Sequence, residues 1–209
     1  MTESKGGMMK KSLKEWGMEA QSGFASGVHN SNGDGIVHLR PMNISRTGRL
    51  DFTSVKSISD ESSRRILRGD ILFNNTNSAE LVGKTTLIDI DGDFAFSNHM
   101  TRLRFPQDDV FHPYMAILLH SMWMSGYFKE ICSNHVNQAS VSIKRLEQVE
   151  VSLPSVEKQI EIVKFLETQI IRIEHAVSLA VDIQSQAISL KRSLYKSAFD
   201  GSLSVNSIV

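Results

Sequence analysis

The chain has 209 residues, 41% of them hydrophobic, enough for one sizeable core plus an extended element. Lysine plus arginine number 23 and aspartate plus glutamate 23, so the broad basic excess of many nucleic-acid binders is absent and any DNA contact must come from a local patch. A single cysteine, Cys132, excludes an internal disulfide framework or zinc cluster, and no run of about eighteen apolar residues exists to cross a membrane.

The opening stretch, residues 1–11, is polar and lysine-bearing, without a hydrophobic signal core, and a reducing cytoplasm is the expected location. Residues 20–35 are rich in Gly, Ser and Asn, end in Asn32-Gly33-Asp34-Gly35, and predict a loop before a strand over 36–40. Residues 40–68 hold Arg40, Arg46, Arg49, Lys56, Arg64, Arg65 and Arg68 against Asp51, Asp60 and Glu61, a basic patch or a solvated charged face. Within it a turn is expected at Thr47-Gly48 and a short helix over 59–67, capped by Ser59 with Asp60 and Glu61 behind it. Gly69-Asp70 then leads into the apolar strand Ile71-Leu72-Phe73.

Further strands are predicted over 84–90 and 101–105. In the second, Thr101-Arg102-Leu103-Arg104-Phe105 alternates so that Arg102 and Arg104 share a surface. Residues 113–131 are apolar on nearly every side and predict a buried core helix. A polar loop over 134–140 and a strand over 149–153 follow.

Residues 155–200 contain no proline or glycine and carry an apolar repeat of alternating three and four: Val163, Leu166, Ile170, Ile173, Val177, Ala180, Ala187, Leu194 and Ala198. That is the seam of a coiled-coil helix, broken at Gln184 and Lys191, and polar seam positions set register and partner number. Pro154 and the N-cap candidate Ser155 mark its start, Glu157 and Glu161 suit the positive end of the dipole, Lys191, Arg192 and Lys196 the negative end, and Gly201 stops it. At about 1.5 Å per residue the helix is roughly 70 Å long, too long to pack wholly on its own domain. The plainer alternative is an amphipathic helix folded back on that domain.

The sequence holds no catalytic constellation. The prolines, at 41, 106, 113 and 154, are never adjacent, so the Asn/Asp-Pro-Pro-aromatic motif of a DNA methyltransferase is missing. Val82-Gly83-Lys84-Thr85 lacks the first glycine of a P-loop, where Ser78 stands. Asp89, Asp91 and Asp93 open like a calcium loop, but Phe94 replaces its glycine and Met100 its closing glutamate. The histidines show no metal-site spacing, and no serine sits in a Gly-x-Ser-x-Gly elbow. No bound metal or catalytic role is expected; binding or scaffolding is.

Gly69-Asp70-Ile71-Leu72-Phe73-Asn74, Asn77-Ser78 and Val82-Gly83-Lys84-Thr85 together resemble a run in the specificity subunits of type I restriction-modification systems. Phe96-Ser97-Asn98-His99-Met100-Thr101-Arg102-Leu103 looks like the next strand of their target recognition domain, Val149-Glu150-Val151-Ser152-Leu153-Pro154 through Gln159 like the entry to their spacer helix, and Leu190 to Gly201 like its end. The resemblance covers about 36–203, and the order of the motifs is more specific than any one of them. Such subunits commonly carry two recognition domains and two spacer helices, whereas this chain shows one of each and looks like a half subunit.

The resemblance implies an α+β fold: a mixed-sheet target recognition domain at 1–153, one long helix at 154–201 that pairs as an antiparallel coiled coil, and a tail at 202–209. It implies a noncatalytic subunit that reads half of a split duplex target and directs modification and restriction subunits, with S-adenosylmethionine and ATP belonging to those partners. A homodimer, or pairing with a different second half, would complete the target. Readout needs side chains with paired donors and acceptors supported by phosphate contacts. The candidate DNA-binding residues are therefore Asn43, Arg46, Arg49, Asn74, Asn75, Lys84, Asn98, Arg102, Asn137 and Gln138, although asparagine also serves simply to make turns. The rival expectation is a coiled-coil decoy or antirestriction module that pairs with a full specificity subunit and reads no DNA.

Overall fold

The computed structural model describes residues 8–59, 64–136 and 138–203 and divides into two compact units, Met1–Ile162 and Val163–Val209. The first unit is α+β. It opens with β1 (Met9–Ser12), β2 (Glu19–Ser22), β3 (Ile36–Leu39) and β4 (Ser57–Ile58). There follow β5 (Ile71–Asn74), β6 (Thr76–Asn77), β7 (Thr85–Leu87), β8 (Phe94–Phe96) and β9 (Met100–Arg104). Helices α1 (His112–Met124) and α2 (Tyr127–Ile131), strands β10 (Ser133–His135) and β11 (Gln138–Ser140), α3 (Ile143–Glu147) and β12 (Glu150–Leu153) lead to α4 (Val156–Phe199).

The order β2-β9-β5-β7 forms an antiparallel sheet whose side-chain alternation feeds two cores. Ile71 and Phe73 of β5 and Leu103 of β9 join Trp16, Met115, Leu119 and Phe128 in the first. Leu72 and Met100 point the opposite way and join Leu39, Ile66, Phe94 and Phe96 in the second. Phe73 and Phe128, both fully buried, meet edge to face at 5.0 Å, and each such burial stabilises by about 2–3 kcal/mol. Sheet β4-β3-β8 mixes antiparallel and parallel pairing, β10-β11-β6 is antiparallel, and β1 pairs antiparallel with β12.

Several elements differ from the sequence expectation. Residues 19–22, partly assigned to a loop, are β2, because β9 supplies their hydrogen-bonding partner. The polar stretch expected as a loop over 134–140 is the hairpin β10–β11, paired onward with β6. The expected helix over 113–131 breaks where Gly126 takes φ +85° between α1 and α2, and it is half-buried, with Met124 exposed. Of the short helix expected over 59–67, residues 60–63, including Asp60 and Glu61, lie outside the described residues. Residues 64–67 are not helical, and Ile66 bridges Phe94. Residues 204–209 of the expected tail, and Asn137, also lie outside the described residues.

Helix α4 runs for 44 residues, about 66 Å at 1.5 Å per residue. Its first turns, to Ile162, belong to the first unit, where Gln159 ties them in. That fully buried amide accepts from Phe111 N–H at 2.9 Å and donates to Asp109 and Pro154 carbonyls at 3.0 and 2.9 Å. Among the described residues no helix is long and apolar enough to cross a membrane.

Candidate nucleic-acid interface

The basic segment identified in the sequence is largely stitched into the fold. Arg65 pairs with Asp93 at 2.7 Å, Arg68 with Asp91 at 3.1 Å, and Arg64 donates to the Gly23 carbonyl at 2.8 Å. Arg46 and Arg49 are exposed on a small hairpin, residues 44–50, closed by a bridge between Ile44 and Leu50 and by Ser45 N–H donating to Arg49 O at 2.9 Å.

Three members of the candidate set lie inside the protein and hold its loops. Asn43, 1% exposed, accepts from Arg40 N–H at 2.9 Å and donates to Asp51 and Ser54 carbonyls at 2.8 and 3.1 Å. Asn74, fully buried, donates to Leu81 O at 2.9 Å. Lys84, 6% exposed, gives its ammonium to Ile44 O; burial, and next the charge of Arg46, hold its pKa below the ordinary lysine value. All three side chains are buried in this structure, a depth that residue type alone does not reveal.

The remaining candidates lie at or near the surface. Asn75, half-buried, donates to Thr101 Oγ1 at 2.8 Å and to Asn98 O at 3.3 Å, which brings Asn75 and exposed Asn98 together. Gln138 is exposed on β11, whose next residues pair with β6. Arg102 lies on the same sheet face as Arg104, as the alternation predicts, and donates to Arg65 O at 3.3 Å. Burial, then Arg104, lowers its pKa.

Sequence reasoning missed two neighbours of the hairpin. His120 of α1, 7% exposed, contacts the Arg46 carbonyl at 3.2 Å, and Trp123 one turn on packs against it at a tilt, with ring centroids 5.0 Å apart. Both were concealed in a helix that reads as uniformly apolar. Arg46, Ala79, Glu80, Trp123, Met124 and Lys129 line a cleft of about 430 Å³, with Lys129 and Glu80 paired at 3.3 Å. The tip of the β10–β11 hairpin carries Val136, 92% exposed. These exposed groups combine cationic, amide and apolar surface, the kinds used for phosphate contact, base-edge bonding and methyl contact.

Residues 5–181 match the family described as the type I restriction modification DNA specificity domain. A protein assigned as the specificity subunit of the type I restriction enzyme MjaX of Methanocaldococcus jannaschii is 29% identical over 124 residues, which are 56% of this chain and 29% of that protein. Among solved structures, a chain from work on complex assembly and conformational transition of the type I R-M system superposes with TM-score 0.75 at 18% identity, covering 94% of this chain and 47% of that one. The HsdS subunit of Thermoanaerobacter tengcongensis gives 0.58 at 20% identity, covering 90% and 40%, and the S subunit of a type I system from M. genitalium gives 0.58 at 13%, covering 86% and 43%. The chain spans less than half the length of each of these proteins.

Proposed function

Because the chain belongs to the type I restriction modification DNA specificity family, we propose that it is a noncatalytic recognition subunit whose first unit reads one half of a split duplex target. The exposed hairpins, at 44–50 and β10–β11, supply Arg46, Arg49 and Gln138, Asn75 and Asn98 lie near the second, and Arg102 adds a guanidinium from β9. Methyl transfer and cleavage belong to modification and restriction subunits, which bring S-adenosylmethionine and ATP, and the complex works in the cytoplasm.

The observation that supports this reading is the apolar surface of α4: Ile173 is 62%, Val177 58% and Leu194 50% exposed, a seam suited to packing against another helix. A second copy of the chain, or another specificity half, supplies it in antiparallel pairing. Beyond residue 175 the apolar surface widens. Ala176, Ala180, Ile183, Ala187, Leu190 and Leu194 form one unbroken repeat of fours and threes, while Val177, Val181, Ile188 and Tyr195 line its flank. Gln184 and Lys191 interrupt only the narrower seam. A face this wide accommodates more than one neighbouring helix, and we assign the extra room to modification subunits.

Methylome mapping of cells that express the chain with its cognate modification subunit, against the modification subunit alone, tests the reading. An interrupted palindrome that depends on the chain is the result expected for a homodimer, and a nonpalindromic split motif is the result for a heterologous second half. Absence of new methylation overturns DNA reading and favours a decoy that pairs with a full specificity subunit.

A further inference from the structure

The hairpin at 44–50 is closed on itself by short-range bonds: Gly48 N–H donates to Ser45 O at 3.3 Å, and the Ser45 and Thr47 hydroxyls meet at 2.9 Å. Such bonds shape a loop without fixing its direction relative to the domain. Two side chains from sequence-distant elements also reach its backbone. Lys84, one residue before β7, donates to Ile44 O at the root. His120, from α1, contacts Arg46 O at 3.2 Å with Nε2 and Thr85 N at 3.4 Å with Nδ1.

Chemistry assigns the imidazole. The Thr85 amide is a donor, so Nδ1 must accept, and the Arg46 carbonyl is an acceptor, so Nε2 must carry the hydrogen. Only the neutral ring protonated at Nε2 satisfies both. Gly48 lies directly on that ring: a Cβ there would stand 2.9 Å from His120 Cδ2 and Cγ, and its φ of +76° independently favours glycine. The hairpin is thus gripped at its root by an ammonium and braced behind its tip by an imidazole, while the Arg46 side chain is left exposed.

We propose that Lys84 and His120 are positioning residues that hold the 44–50 hairpin so that Arg46 meets duplex DNA from a fixed backbone. The proposal rests on the DNA-reading function above and adds which buried groups enforce its geometry. A guanidinium on a loop already ordered loses less freedom on engaging a phosphate or a guanine edge than one on a loose loop. It also gives the Val82-Gly83-Lys84-Thr85 run a purpose: its lysine grips the root and its threonine amide orients the histidine.

The test measures binding of the full chain, in complex with its modification subunit, to a duplex carrying the motif recovered by methylation mapping. Arg46→Ala is expected to weaken binding about tenfold and to reduce the salt slope by about one. His120→Phe, which removes both bonds at similar volume, is expected to give a comparable loss, and so are Lys84→Met and Gly48→Ala. His120→Gln, which keeps a donor of similar reach, is expected within about threefold of the native chain. In a double-mutant cycle, His120→Phe in the Arg46→Ala background is expected to weaken binding no further, since it acts through Arg46. Hydrogen exchange at amides 45–50 is expected to quicken in His120→Phe while the central sheet stays protected.

Native-like binding by both His120→Phe and Lys84→Met, or a His120→Phe loss that adds fully to that of Arg46→Ala, overturns the proposal. If a variant unfolds the whole unit, Gly48→Ala decides through the same cycle. A native chain that binds no duplex overturns the DNA-reading function instead, and the exchange measurement then still reports whether the hairpin is anchored.

Discussion

Asp70 and Arg104 meet in a two-pronged ion pair across adjacent strands, with Arg104 Nε 2.7 Å from Oδ1 and Nη2 2.8 Å from Oδ2. Asp70 is 2% exposed and also accepts from Leu67 N–H at 2.8 Å, so both carboxylate oxygens are committed. The pairing, with its hydrogen bonds, raises the Arg104 pKa above the ordinary arginine value. The motif Gly69-Asp70-Ile71-Leu72-Phe73 is therefore a fold device: its carboxylate binds the neighbouring strand while its apolar residues fill two cores. Asp70→Asn is expected to destabilise the first unit by about 2 kcal/mol, less than a fully buried pair because Arg104 keeps some contact with water. A urea titration of the two chains measures this, and an unchanged midpoint contradicts it.

Two buried histidines predict the pH response. Burial is the main cause that lowers the pKa of His38, helped by His29, whose Nε2 lies 3.0 Å from His38 Nδ1, and of His120. Both are neutral when folded, whereas in the unfolded chain they take up a proton near the ordinary value of 6.5. The unfolded state then binds more protons, so stability is full above that value and falls as pH drops below it toward the lowered folded values. Urea midpoints at about pH 7.5 and about pH 5.5 are expected to show the loss, and His120→Gln is expected to reduce the difference. A midpoint that rises on acidification refutes the assignment.

Buried and exposed members of the candidate set are expected to behave oppositely. Asn43→Ala removes a side chain bonded to three backbone groups and is expected to cost about 2 kcal/mol of stability while leaving the salt slope of DNA binding unchanged in chains that remain folded. Arg46→Ala is expected to leave the melting temperature within a few degrees and to lower the salt slope by about one. Paired thermal melts and salt titrations separate the two, and a salt-slope change in Asn43→Ala would return that residue to the DNA contacts.

The wide apolar face of α4 makes a prediction about assembly. Ile183 and Leu190, 66% and 62% exposed, adjoin the narrower seam on the unbroken repeat, and Ile183→Lys with Leu190→Lys is expected to abolish self-association by placing charges at the edge of the pairing seam. Sedimentation at several concentrations checks it. Persistent dimers in the double variant would locate the contact elsewhere.

Legibility from sequence followed the range of the interactions. The long helix, expected over 155–200, runs over 156–199, since its apolar period and bounding Pro and Gly are local signals. The alternation of Thr101 to Phe105 likewise announced the faces of β9. The hairpin β10–β11 was not legible, because strands of Ser, Asn, His and Gln pair only when β6 is brought alongside by the fold. Depth was equally hidden in the candidate site. Lys84 reads as a surface lysine until Ile44, forty positions earlier, comes to rest on it, and His120 disappears into an apolar helix that positions it under Arg46.

The pairing of β1 with β12 sets Met9 opposite Leu153, so the strand that opens the first unit and the strand that delivers the chain to α4 lie side by side. A substitution at Met9 therefore acts on the same short two-stranded sheet from which the chain passes into α4.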